Sequence, residues 1–163
     1  MEIDGAAAAI KTLGKVDPEL RKAVIKSLKT AAQPMEESAR RLLPATRPLS
    51  NWEKWRGGYD PKKVARSIKV AFRGSKVKGS RDPDKIPLLT LRQKDAAGAI
   101  YDMAGRRSTG NTPQGQAFIR NLNRQGPASR YMWPGAEAAM PLVIRQVEEA
   151  VDDMIKIIEK ELR

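Results

Sequence analysis

The strongest periodicity in the chain lies toward its C-terminal end. At about 100° per residue, Met140, Val143, Ile144, Val147, Ala150, Val151, Met154, Ile155, Ile157, Ile158 and Leu162 fill an arc of roughly 160°. Glu148, Glu149, Asp152, Asp153, Lys156 and Lys160 lie opposite. The pattern predicts a long amphipathic helix over 134–162, entered at Pro134, with Pro141 sharpening or kinking its first turns. So wide an apolar arc exceeds what one sheet face covers. The surplus falls either to the first helical region or to a neighbouring subunit.

That first region spans 17–43, where Leu20, Val24, Leu28, Ala31, Met35, Ala39 and Leu42 recur at spacings of three and four. Asp17-Pro18-Glu19 supplies its start: a capping carboxylate, a proline suited to the first helical position, and an acid facing the positive dipole end. Pro34 removes a backbone donor, so the helix is kinked near Ala31 or split in two, and it ends before Pro44. Ahead of it, 6–13 reads as a short helix stopped by Gly14.

Between the helical ends the period changes to two. Ile68, Val70 and Phe72 alternate with Ser67, Lys69, Ala71 and Arg73, a half-buried strand, and 86–93 gives a second through Leu89 and Leu91. The polar stretch 74–85 makes them a long hairpin whose tip holds Lys76, Lys78 and Arg81. A third strand over 99–103 completes a small antiparallel sheet. The connector 44–61, marked by Pro44, Pro48, Gly57 and Gly58, carries Trp52, Trp55 and Tyr59, which either tuck onto the core or meet a partner. The expected fold is α+β in a single domain, 1–163: a kinked N-terminal helix over 17–43, the connector 44–61, basic sheet and loops over 62–130, and the C-terminal helix 134–162 packed on the sheet.

Composition narrows the function. The 163 residues suffice for one core, and the chain has neither cysteine nor histidine. Thiol chemistry, disulfides, the usual zinc sites and imidazole acid–base catalysis are therefore excluded. No carboxylate, lysine or hydroxyl spacing replaces them, so neither an enzyme nor a cofactor or metal is expected. No apolar run approaches the roughly 20 residues of a membrane span, and the Met1-Glu2-Ile3-Asp4 start is acidic, so a protein made and kept in a cytoplasm is expected.

The net charge of +12 is regional: residues 61–130 hold 16 Lys or Arg against 4 Asp or Glu, whereas 1–60 and 131–163 contribute +3 and −3. Such a segment neutralises phosphates through counterion release, or merely solvates a surface and protects sheet edges. Few aromatics interleave with it, and helix-turn-helix, zinc-ligand and zipper patterns are absent, so sequence-specific DNA binding is not favoured. The glycine-bearing loop 106–115 lacks the strand–loop–Lys–helix order of a phosphate cradle and reads as a flexible docking segment. Trp133 is expected to fill the gap between sheet and helix, and Tyr131 stays open between core and surface. Arg130 pairs with an acidic partner or caps the sheet edge.

The order of Gly98-Ala99-Ile100-Tyr101-Asp102-Met103-Ala104-Gly105, the basic loop, the apolar Phe118-Ile119-Arg120-Asn121-Leu122, and Gly126-Pro127-Ala128-Ser129-Arg130-Tyr131-Met132-Trp133-Pro134 leading into the last helix resembles the tail-completion or head–tail joining proteins of long-tailed bacteriophages. The likeness is best from residue 96 onward. It extends more weakly to Pro48-Leu49-Ser50-Asn51-Trp52 and to Val64-Ala65-Arg66-Ser67-Ile68, which resemble the loop and first long strand of actinobacteriophage members. Many members end the strand in aromatic-Gly-Thr, where this chain has Met103-Ala104-Gly105. The resemblance implies a virion structural protein of the neck, a ring of identical copies between head connector and tail tube or tail terminator, with genomic DNA traversing the lumen. Its expected partner surface comprises Lys76, Lys78, Arg81, Arg106, Arg107, Arg120, Arg124, Arg130, Tyr131, Trp52 and Trp55. The alternative is a nonspecific nucleic-acid-binding protein.

Overall fold

A computed structural model of the protein describes residues 6–50, 52, 58–72, 89–106 and 110–161. Among the described residues helices dominate, with one two-stranded antiparallel sheet between them in the chain order, so the class is α+β. Contacts gather the chain into two compact units. One comprises Met1–Pro34, Val70–Thr90 and Met140–Arg163; the other comprises Met35–Lys69 and Leu91–Ala139.

In the first unit, α1 (Ala6–Val16) packs on α2 (Pro18–Ala31). Asp17 caps α2 as its position suggests, its carboxylate accepting the N–H groups of Glu19 and Leu20 at 2.9 Å. Gly14 does not stop α1, which runs on to Val16. It faces the flexible Arg21 side chain of α2, which a Cβ there would displace. Among the described residues of this unit the buried apolar side chains are Ile10, Val24, Leu28, Ala31, Ala32, Val143 and Val147.

The predicted break after Ala31 is a split into two helices. Ala32 leaves helical geometry (φ −94°, ψ 1°), and α3 (Gln33–Arg41) restarts with Pro34 in its first turn, where a missing N–H costs nothing. In the second unit α4 (Pro61–Ser67) precedes β1 (Ile68–Phe72), so Val64 to Ser67 are helical rather than the start of a long strand. Asp60 and Pro61 explain this, the carboxylate accepting from Lys62 and Lys63 N–H and the proline occupying the first turn. β1 pairs with β2 (Leu89–Gln93). The expected hairpin tip, with Lys76, Lys78 and Arg81, lies outside the described residues.

No third strand exists among the described residues. Residues 99–103 belong to α5 (Ala96–Met103). Asp95 caps it through Ala97 and Gly98 N–H, and Ala97, Gly98, Tyr101 and Asp102 are buried at the spacing of a helix face, not of a strand. The apolar segment 118–122 is likewise helical, inside α6 (Pro113–Asn123), so part of the predicted basic loop is its first turn. The last helix, α7 (Met132–Glu161), has 30 residues, about 45 Å at 1.5 Å per residue.

Candidate interaction surface

The second unit is built around an aromatic cluster. Trp52 (4% exposed) meets Tyr59 at 5.3 Å and Phe118 edge-on at 5.1 Å. Tyr59 meets Tyr101 at 5.6 Å, and Tyr101 stacks on Tyr131 at 6.0 Å. Ala39, Val64, Ile68, Ala97 and Leu122 complete this core. Trp52 and Tyr131 are thus interior, and their rings are not offered to a partner. Trp55 lies outside the described residues.

Three polar side chains wire the core's rim. Gln93, at the end of β2, accepts at Oε1 from Ser67 Oγ and Asp95 N–H, and donates from Nε2 to the Tyr131 hydroxyl (2.7 Å) and the Val64 carbonyl (3.3 Å). Arg40 donates to the Ala65 and Ile68 carbonyls at 3.0 and 2.8 Å and pairs with Glu36, which also faces Lys69 at 3.8 Å. Asp95 joins its capping bonds to an ion pair with Lys63 at 2.9 Å. Burial pushes the Asp95 carboxyl up, but the Lys63 and backbone hydrogen bonds outweigh that and hold it below the ordinary value.

At the junction of α5 and α7 two charges exchange helix ends. Arg130 Nη1 donates to the Tyr101, Asp102 and Ala104 carbonyls at 2.6, 3.4 and 3.2 Å, and Nη2 donates to Asn123 Oδ1 at 3.0 Å. The guanidinium also lies 5.7 Å from the Tyr101 ring. Desolvation lowers its pKa, partly offset by Tyr101 and Asp102. In return Asp102, 3% exposed, accepts the Tyr131 and Met132 N–H groups through Oδ1 at 2.9 and 3.1 Å. Asp102 therefore supplies the negative charge that the first turn of α7 lacks in its own sequence. Arg130 thus caps a helix rather than the edge of a sheet.

This cap decides which aromatic faces out. With Tyr131 drawn into the core, Trp133 emerges 65% exposed in the first turn of α7, against the expectation that it fills the interior. Ile100 and Met103, 44% and 40% exposed, are offered by α5. Of the predicted basic contacts, Arg106, Arg120 and Arg124 are exposed, and Arg107 lies outside the described residues. No group of three or more metal-ligating side chains occurs among the described residues, and no described helix is long and apolar enough to cross a membrane. Comparison of the chain with protein-family models, curated proteins and solved structures returned no match.

Proposed function

We propose that this protein is a structural subunit of a tailed-phage virion, a neck protein that forms a ring with copies of itself. In this reading it joins or completes the tail at the head connector through protein–protein contacts, without catalysis. The strand on which the resemblance partly rested is α5, so support comes instead from the aromatic-Pro entry to α7 and from the surface beside it. The observation that carries the reading is Trp133. A tryptophan 65% exposed, on a helix start that Asp102 holds by two hydrogen bonds, is a rigid anchor that loses little freedom on docking.

Exposed Arg106, Arg120 and Arg124 come from the turn after α5, from α6 and from the α6 C-cap, in a stretch where no acidic residue occurs between Asp102 and Glu137. Positive charge there steers encounter with acidic neighbours more than it adds affinity. The decisive assay is in vitro joining of heads and tails lacking this protein. Trp133→Ala combined with Arg106→Glu, Arg120→Glu and Arg124→Glu should stay folded by circular dichroism and fail to join them; normal joining refutes the reading. The same acid-free arginine run supports a second reading, nonspecific nucleic-acid binding. That reading requires duplex DNA affinity that falls steeply with salt, and it is removed if none is seen at low salt.

A further inference from the structure

One surface of the first unit is cationic and another anionic, and each keeps charges without an ion pair among the described residues. On α2 and the first residue of α3, Lys22, Ile25, Lys26, Lys29, Thr30 and Gln33 line a shallow groove of about 480 Å³. Lys22, Lys26 and Lys29 stand at i, i+4 and i+7, so they form one ridge about 10 Å long, with half-buried Ile25 beside them. Lys22 is tied to Glu19 at 2.7 Å, whereas Lys26 and Lys29 have no ion pair among the described residues.

The second surface has the same spacing. Glu148, Asp152 and Ile155 recur at i, i+4 and i+7 on α7, and all three are exposed, Ile155 to 45%. Residues 145–156 hold four acids, Glu148, Glu149, Asp152 and Asp153, against Arg145 and Lys156, and Lys156 is occupied with Asp153 at 3.3 Å. Glu148 and Asp152 have no ion pair among the described residues. Each ridge runs from i to i+7, the first carrying three cations with Ile25 beside them and the second two acids followed by Ile155, so the two oppose in charge.

We infer that the α2 groove of one copy receives the Glu148–Asp152–Ile155 ridge of α7 from the next copy. Two different surfaces meet in this contact, so it is heterologous, and it either closes a ring or propagates. The charges set register and orientation, and Ile155 and Ile25 add apolar contact beside them. The inference rests on the ring reading for its biological setting, but it is judged by self-association alone.

The test uses two variants of the full chain, Lys26→Glu/Lys29→Glu and Glu148→Lys/Asp152→Lys, with sedimentation velocity at low salt. The wild type should associate, and less so as salt rises. Each variant alone presents like charges on both surfaces and should associate at least about tenfold more weakly. An equal mixture of the two should regain association, because each then meets its opposite; a merely misfolded variant gives no such recovery. A monomeric wild type, variants that associate as the wild type does, or a mixture that fails to recover each overturns the inference. Head–tail joining is read in a separate assay, so loss of one conclusion is distinguishable from loss of the other.

Discussion

Arg130 and Asp102 hold opposite ends of two different helices: the arginine sits on the last carbonyls of α5, and the aspartate on that helix receives the first N–H groups of α7. Each charge lies at the dipole end of opposite sign, and the Ser129 N–H closes the corner on the Asp102 carbonyl at 2.6 Å. Removing one partner leaves buried polar groups without bonds. Arg130→Ala and Asp102→Ala should each lower unfolding stability by about 2–4 kcal/mol in urea titrations. The double variant should lose less than the sum, because both changes open the same corner.

Gly135 marks where α7 crosses α3. A Cβ at this position would lie 2.5 Å from Ala39 Cα and 2.6 Å from Ala39 N, both backbone atoms that no rotamer change can move. Gly135→Ala should therefore destabilise by about 1–3 kcal/mol despite the better helix propensity of alanine, and a drop in thermal midpoint reads this directly.

The tyrosines of the core should respond in opposite directions to loss of a hydroxyl. Tyr59 Oη is buried and meets no partner among the described residues, and burial holds its phenol above the ordinary value of 10. Tyr59→Phe should be neutral or stabilising by up to about 1 kcal/mol. Tyr131→Phe removes the bond from Gln93 and should cost about 1 kcal/mol, so urea midpoints of the pair should move apart.

Asp95 links stability to pH. Its folded pKa lies below the ordinary 3.8, so its contribution is fully present above that value and fades as pH falls through the folded pKa. Asp95→Ala should cost about 1 kcal/mol or more near neutrality through loss of the α5 cap. The gap between variant and wild type should close under acid, which urea titrations repeated down to strongly acidic pH will show.

The elements legible in the sequence are those whose signal is local. Asp17-Pro18-Glu19 announced α2, and the three-and-four spacing of Val143, Val147 and their neighbours announced α7. α5 was missed because Ala96, Ala97, Gly98 and Ala99 carry no hydrophobic period; the available sign was Asp95, an N-cap residue just ahead of an alanine-rich run. The surface was harder to read because distant residues decide it. Which member of Tyr131-Met132-Trp133 turns inward depends on Asp102, about thirty positions earlier, and Arg130 is drawn inward by carbonyls equally remote. A basic residue in the sequence therefore did not mean a basic surface at Arg40 or Arg130.

Because Asp102 binds both Ser129 and Tyr131, the polypeptide that departs after α5 returns to its point of departure before α7 begins. Leu122 and Phe118 seat α6 in the same core. The parts on either side of Arg106 and Gly110 are thus joined by hydrogen bonds and packing as well as by the chain. Two fragments divided there, expressed side by side, should reassemble, and the protein could carry a reporter at that seam.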